Sequence, residues 1–137
     1  MDDLQKSSQI AISGMKAQTE RLRVISENLA NADSLARTPD GLPYQRKVVS
    51  FKSELDRANG VNRVKVDKVR KDNAEFHLLY DPKLPAAFRE GYVLAPNITP
   101  LIEMMDMREA QRSYEANLSV IQSSRELLSK TVDLLRP

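Results

Sequence analysis

Few residues in this chain are of a type and spacing that could do chemistry. His77 is the single histidine, the residue type most often used as a general acid or base. It lies between Phe76 and Leu78 with no serine or cysteine nucleophile motif beside it, so a surface or packing role is expected rather than that of a general base. Glu103 and Asp106 could be taken for the paired carboxylates of a glycosidase. They fall one turn apart near a predicted helix start, where negative charge complements the helix dipole, and that role is the expected one. No glycine-rich phosphate loop is present. The absence of cysteine excludes disulfides, thiolate metal sites and cysteine nucleophiles. One histidine excludes a paired-histidine metal site within the chain. The expectation is a protein that is not an enzyme and holds no cofactor or metal.

The case for nucleic acid rests on Arg63, Lys65, Lys68, Arg70 and Lys71. Asp67 and Asp72 interrupt that stretch and no aromatic platform lies within it, so a solvated hairpin face is expected. Lys and Arg number 21 against 19 Asp and Glu, a net charge of +2. Residues 1–57, 58–97 and 98–137 carry +1, +2 and −1, without the one-sided balance of a phosphate binder. The sequons Asn97-Ile98-Thr99 and Asn117-Leu118-Ser119 are set aside as chance triplets. Met104, Met105 and Met107 could form an adaptable binding surface, but such a cluster is more often a core stripe. The 137 residues suit about one domain. No apolar run approaches the roughly 20 residues of a membrane span. Met1-Asp2-Asp3 is acidic where a signal peptide is basic, and no apolar segment follows. The chain is therefore expected in the cytosol, or outside it by a route that reads no cleaved leader.

Two helices must carry whatever function exists. Leu4, Ser8, Ala11, Met15, Gln18, Leu22, Ile25, Leu29 and Ala32 alternate four and three apart, which predicts a helix over 4–32 with a narrow apolar seam. Asp2 or Asp3 suits its N-cap. Pro39-Asp40-Gly41 bars its continuation. Thr99 as N-cap and Pro100 at the first helical position open a second helix over 99–136. Its seam runs through Met104, Met107, Gln111, Tyr114, Leu118, Ile121, Arg125, Leu128, Val132 and Leu135. Ile102, Met105, Leu127 and Leu134 add a second apolar flank. No glycine or proline interrupts 101–136.

Residues 37–97 hold five of the seven prolines and three of the four glycines. Lys47–Phe51 reads as a short strand. Val61–Arg70 and Glu75–Tyr80 read as a β-hairpin around Lys71-Asp72-Asn73-Ala74, with residues 81–97 extended and irregular. A helix over 99–136 would span roughly 55 Å at about 1.5 Å per residue. A compact chain of this length has a radius of gyration of about 14 Å. The expected fold is therefore mainly α: long N- and C-terminal helices packed as an elongated coiled-coil hairpin around a small irregular or β-hairpin insertion. The expected divisions are 1–36, 37–97 and 98–137, with the two helical segments forming one discontinuous domain. Narrow seams leave their flanks wet, so such a module buries its apolar surface on copies or partners.

Several motifs narrow this reading. Ile25-Ser26-Glu27-Asn28-Leu29-Ala30-Asn31-Ala32 resembles the S-x-N-[IL]-A-N signature of bacterial flagellar rod and hook axial proteins. Pro39-Asp40-Gly41-Leu42-Pro43-Tyr44-Gln45-Arg46-Lys47 is similar to the segment that follows it in the proximal-rod members. Tyr80-Asp81-Pro82, Gly91-Tyr92-Val93-Leu94-Ala95-Pro96-Asn97 and Glu103-Met104-Met105-Asp106-Met107 occur in the family in this order. Ser113-Tyr114-Glu115-Ala116-Asn117 resembles its C-terminal hallmark. The resemblance covers the whole chain. It departs from the family at Asp33-Ser34-Leu35-Ala36, where a threonine-rich stretch is usual, and at Leu84, where histidine is common.

The resemblance implies a structural subunit that stacks helically in the rod of the flagellar basal body and transmits motor torque across the periplasm. It implies export through the flagellar type III apparatus without leader cleavage. The implied partners are copies of the chain, other rod proteins and the MS-ring or export-gate region; no nucleic acid and no membrane span enter. Laid over the two seams, it puts the assembly interface on Leu22, Ile25, Asn28, Leu29 and Asn31 of the first helix. On the second it falls on Met104, Met107, Tyr114, Asn117, Leu118, Ile121, Leu128, Val132 and Leu135. Asn28, Asn31 and Asn117 would act there as polar registers at crowded helix contacts, or else simply as caps or solvated groups. The competing reading is a cytosolic helical-hairpin adaptor or nucleic-acid-binding protein, which salt-dependent binding to DNA or RNA would reveal.

Overall fold

The computed structural model describes residues 2–137. Helix α1 spans Asp2–Ala30 and helix α2 spans Pro100–Leu134. Between them lie strands β1 (Lys47–Asp56), β2 (Val61–Lys71), β3 (His77–Tyr80) and β4 (Tyr92–Ala95), with a 3₁₀ turn at Arg89–Gly91 before β4. Two long terminal helices around a small β region is the architecture the periodicity predicts. The start of α2 follows the predicted signals: Pro100 is its first residue, and the Glu103 N–H donates to the Thr99 carbonyl at 3.1 Å.

The chain forms two compact units. One takes residues 1–22, 50–68 and 108–137; the other takes 23–49 and 69–107. In the first, α1 and α2 run antiparallel. Gly14 lies against Asn117, Arg21 pairs with Glu109 at 3.5 Å, and Leu4 and Ser8 share a small recess with Ser124 and Leu128. Most of the buried side chains here are small: Ala11, Ala17, Ala110 and Ser124 lie beside the larger Val61 and Ile121. Small residues let helix backbones approach closely, because the interaxial distance is set by the side chains at the contact. A Cβ on Gly14 would stand 2.7 Å from the Asn117 Nδ2.

The helix registers differ from the predicted seams. On α2 the inward set is Glu103, Met107, Ala110, Tyr114, Asn117, Ile121, Ser124, Leu128 and Thr131, each buried or half-buried. The predicted Met104, Gln111, Leu118, Arg125, Val132 and Leu135 are exposed. On α1 the buried positions are Ala11, Gly14, Ala17, Val24, Ile25 and Asn28, while the predicted Leu4, Met15, Leu22 and Leu29 lie half-buried on the flank. Part of each predicted seam does face inward, namely Ala11 and Ile25 of α1 and Met107, Tyr114, Ile121 and Leu128 of α2, while the alternate members fall beside the inward stripe. Between these positions the inward stripes use small and polar residues such as Gly14, Ala17, Asn28, Ala110, Asn117 and Ser124, which an apolar pattern does not mark.

The β region also departs from expectation. β2 pairs with β1, not with the segment holding β3. Lys52–Asp67, Glu54–Lys65 and Asp56–Arg63 are joined by ion pairs across the ribbon. The partner number falls as the first rises, so the ribbon is antiparallel, and alternate residues put all three pairs on one face. Asp56 closes the turn: its carboxylate accepts from the Ala58 N–H at 3.0 Å and the Asn59 Nδ2 at 2.8 Å. Gly60 follows at a positive φ of 67°. Asn59-Gly60 is itself a hairpin signal, and it outweighs Lys71–Ala74 because its Gly takes the left-handed conformation at little cost.

Residues 81–97 are not irregular throughout. β4 pairs antiparallel with β3 in the register His77↔Ala95, Leu78↔Leu94, Leu79↔Val93 and Tyr80↔Tyr92. Val93 is fully buried against Ala36 and Ala86, with Leu35, Leu84, Ala87 and Leu94 packed around them. The Ala36 N–H donates to the Leu94 carbonyl at 3.3 Å. This pairing joins segments more than ten residues apart, so local pattern could not show it. Gly91 is required for two reasons: its φ is 85°, and a Cβ there would meet Pro82 Cβ at 2.9 Å.

Candidate assembly site

Beside its apolar cluster, the second compact unit holds a knot of buried polar groups. Arg46 sits just before β1 and reaches three carboxylates: it pairs with Glu103, with Asp72 at 3.1 Å and with Asp106 at 3.5 Å. The Glu103 side chain is only 1% exposed. An ion so deeply buried persists only if it is paired and hydrogen-bonded, and Glu103 accepts a second hydrogen bond from Asn28 Nδ2 at 3.3 Å. Burial works against the Arg46 cation, but Glu103 and then Asp72 outweigh it, so its pKa lies above the ordinary arginine value. The Ala74 N–H holds the Asp72 carboxyl below its ordinary value; burial opposes it, and the hydrogen bond and charge of Arg46 add to the lowering. Glu103 and Asp106 are thus ion-pair partners of one guanidinium as well as neighbours of a helix N-terminus.

Two asparagines complete the knot. Asn28 Nδ2 donates to the Lys47 carbonyl at 2.8 Å, and Asn28 Oδ1 accepts from the Lys47 N–H at 3.0 Å. The Tyr44 hydroxyl donates to the same oxygen at 3.3 Å. Asn97 Oδ1 accepts from the Arg46 N–H at 2.8 Å, while its Nδ2 donates to the carbonyls of Asp72 and Ala74 at 3.1 Å. Asn97 therefore spends its side chain inside the chain and closes the corner at 72–74 that the sequence suggested as a hairpin turn. Sequence reasoning missed Arg46, Asp72 and Asn97. Their partners lie far off along the chain; Arg46 and Asn97, like Asn28, stand inside motifs quoted above, but a motif does not show which groups its residues bind.

The residues expected at the assembly interface divide by exposure. Ile25, Asn28 and Ile121 are buried within the chain. Leu22, Leu29, Asn31, Met107, Tyr114, Asn117 and Leu128 are half-buried. Asn31 caps locally: its Nδ2 donates to the Glu27 carbonyl at 2.8 Å and its Oδ1 accepts from Ser34 Oγ at 3.0 Å. Met104, Leu118, Val132 and Leu135 face outward. A second outward stripe accompanies them on α2: Ile102, Met105, Ala116, Val120, Leu127 and Leu134 are all exposed. At 3.6 residues per turn it lies roughly 100° around the helix from the inward face.

The alternatives raised by composition find no arrangement to support them. His77 is exposed on β3. Among the described residues no group of three or more His, Cys, Asp or Glu could hold a metal, and no helix is long and apolar enough to cross a membrane. Arg63 and Lys65, the head of the basic stretch, are paired to Asp56 and Glu54 across the ribbon. The nucleic-acid reading is not favoured.

The comparisons with known proteins agree with the motif reading. Residues 9–34 match the family described as "Flagella basal body rod protein", and residues 89–134 match "Flagellar basal body rod FlgEFG protein C-terminal". The chain is 54% identical over 136 residues to the flagellar basal-body rod protein FlgC of Agrobacterium fabrum, covering 99% of this chain and 98% of that one. It is 38% identical to the FlgC of Bacillus subtilis over 93% of this chain and 95% of the relative. Against the FlgC of Salmonella typhimurium the figures are 40%, 91% and 92%. The chain belongs to the FlgC family of flagellar basal-body rod proteins, whose members are structural proteins and not enzymes.

Proposed function

We propose that copies of this chain assemble helically in the proximal part of the flagellar rod and form a segment of the drive shaft that carries motor torque. The supporting observation is the outward apolar stripe on α2. Exposed apolar side chains recurring at helical spacing on one flank of a helix, here at 102–105 and again over 116–134, are a surface awaiting burial. Residues 1–36 and 98–137 would form the rod-core pair, packed as a coiled-coil hairpin, with 37–97 bracing against neighbouring subunits. Torque transmission needs stiff elements, and α2 contains no glycine or proline beyond its first residue. The partners would be other copies, other rod proteins and the MS-ring or export-gate region at the base. Delivery would run through the flagellar type III apparatus without a cleaved leader, to a rod lying in the periplasmic space.

Leu22, Leu29, Met104, Leu118, Val132 and Leu135 would bury their exposed area against neighbours. Ile25, Asn28, Asn31, Met107, Tyr114, Asn117, Ile121 and Leu128 would serve assembly by fixing the helix pair that presents those surfaces. The test is to isolate basal bodies from cells making an epitope-tagged chain and label them for electron microscopy. Label along the rod near the ring that anchors it supports the proposal. Label confined to the hook, or basal bodies free of the chain, would refute it.

A further inference from the structure

The loop that joins β1 to β2 holds Asn59-Gly60, the one Asn-Gly step in the chain. Both residues are exposed. The amide carbon of an asparagine can be attacked by the backbone nitrogen of the next residue. Glycine leaves that nitrogen open to the approach, because it brings no Cβ. No atom lies within 4 Å of the place a Cβ on Gly60 would take, so the surroundings do not crowd the step either. Sequence and exposure thus favour the reaction, yet the loop turns both reacting groups elsewhere. The Gly60 N–H, which would be the nucleophile, donates to the Asp56 carbonyl at 2.7 Å. The Asn59 Nδ2, which would be the leaving group, donates to the Asp56 carboxylate at 2.8 Å. That carboxylate is itself fixed: it accepts from the Ala58 N–H at 3.0 Å and pairs with Arg63 at 3.6 Å. One residue therefore holds both partners of the reaction apart.

We infer that Asn59 is a site of deamidation that Asp56 keeps closed while the β1–β2 ribbon is formed. In the opened loop the Gly60 nitrogen gives its proton to solvent base, and its electron pair forms a bond to Asn59 Cγ. The Cγ–Nδ2 bond breaks, and Nδ2 takes a proton from solvent and leaves as ammonia. Water then opens the resulting five-membered imide at either of its carbonyls. One opening gives an aspartate at position 59. The other gives an isoaspartate, in which the backbone runs through the former side chain. Nothing is oxidised or reduced; water is consumed and ammonia released. Neither product refits the loop. The aspartate sets a carboxylate where the Asn59 amide had donated to Asp56, so a hydrogen bond becomes a meeting of like charges. The isoaspartate lengthens the backbone of a tight turn by one carbon. The modification therefore leaves a lasting mark on any chain whose ribbon has opened.

The purified chain is incubated in mildly alkaline buffer, folded and in urea, and digested with trypsin. Cleavage after Arg57 and Arg63 releases residues 58–63. Tandem mass spectrometry follows the conversion of the Asn59 amide to a carboxyl group, with Asn62 of the same peptide as internal reference. Folded wild type should convert more slowly than the chain in urea, by a factor of about ten or more. Folded Asp56→Ala should convert about tenfold faster than folded wild type, the worth of one charge-assisted hydrogen bond. Asp56→Asn keeps an acceptor for the Asn59 amide and should fall between them, and all three should agree in urea. Circular dichroism establishes that each variant is folded; if Asp56→Ala is not, Asp56→Asn against wild type decides. Folded wild type converting at the urea rate would overturn the site's closure, and folded Asp56 variants no faster than wild type would overturn the role of Asp56.

Discussion

Asn28 meets Lys47 as a neighbouring strand would. Its amide nitrogen donates to the Lys47 carbonyl at 2.8 Å and its amide oxygen accepts from the Lys47 N–H at 3.0 Å. A side chain on α1 thereby satisfies both backbone groups of the first residue of β1, and Asn28 itself is almost fully buried. The amide is the one side-chain group that offers a donor and an acceptor in this geometry. Asn28→Asp would remove the donor and set a second carboxylate beside Glu103. The expected outcome is a loss of about 3 kcal/mol or more, from an unpaired buried charge. Urea unfolding of the purified chain checks this, and Asn28→Asp unfolding at the wild-type midpoint would contradict it.

Arg46 and Glu103 should respond asymmetrically to truncation. Arg46→Met leaves Glu103 buried without its cation, which costs about 3–5 kcal/mol. Glu103→Gln keeps an acceptor for Asn28 and leaves Arg46 with Asp72 and Asp106, so it should cost under about 2 kcal/mol. The pair's urea midpoints give the comparison, and equal losses would show that Glu103 does not depend on Arg46.

Asp72 makes the fold acid-sensitive in a definite direction. Its carboxyl is held below the ordinary value of 3.8, first by the Ala74 N–H and then by Arg46. A depressed folded pKa means that the unfolded chain binds the proton more readily. The contribution is therefore present above pH 3.8 and is lost as the pH falls through the lower folded value. Melting temperature measured from pH 6 downward should drop below about pH 4, and Asp72→Asn should flatten part of that drop. An unchanged acid slope in Asp72→Asn would contradict the assignment.

Gly14 and Asn117 should behave as one unit. Ala is favoured over Gly within a helix by about 1 kcal/mol, but here the new Cβ would stand 2.7 Å from the Asn117 amide. Gly14→Ala alone should give no gain, and the same change beside Asn117→Ser should raise stability by about 1 kcal/mol. A double-mutant cycle followed by thermal unfolding reads the coupling; equal gains in both backgrounds would show that the contact is slack.

Leu127 and Leu128 are adjacent in sequence and opposite in role. Leu127 faces outward and Leu128 is half-buried on the face toward α1. Leu127→Asp should leave unfolding within about 0.5 kcal/mol of wild type, as for surface positions generally, yet abolish swimming. Leu128→Asp should lower stability by about 2–3 kcal/mol. Circular dichroism and soft-agar motility separate the two, and motile cells with Leu127→Asp would remove the stripe from the assembly surface.

What the sequence revealed depended on the range of the signal. The start of α2 was legible because Thr99 and Pro100 act locally, whereas Asp2 and Asp3, expected as caps, lie within the first turn of α1. The seams were legible in part, at Ala11, Ile25, Met107, Tyr114, Ile121 and Leu128; the positions between them use Gly14, Ala17, Ala110 and Ser124, which carry little apolar signal but permit close helix approach. The β1–β2 hairpin is marked by Asn59-Gly60, a stronger turn signal than Lys71–Ala74. The β3–β4 pair and the Arg46 knot were not legible, because each joins residues distant in sequence that only tertiary packing brings together. The family was legible from ordered motifs spread across the whole chain.

The most direct measurement is electron cryotomography of cells from which this chain alone has been deleted. The account predicts basal bodies with rings at the inner membrane, no completed rod, and neither hook nor filament, all restored when the chain is supplied. Complete rods bearing filaments in the deleted cells would contradict it.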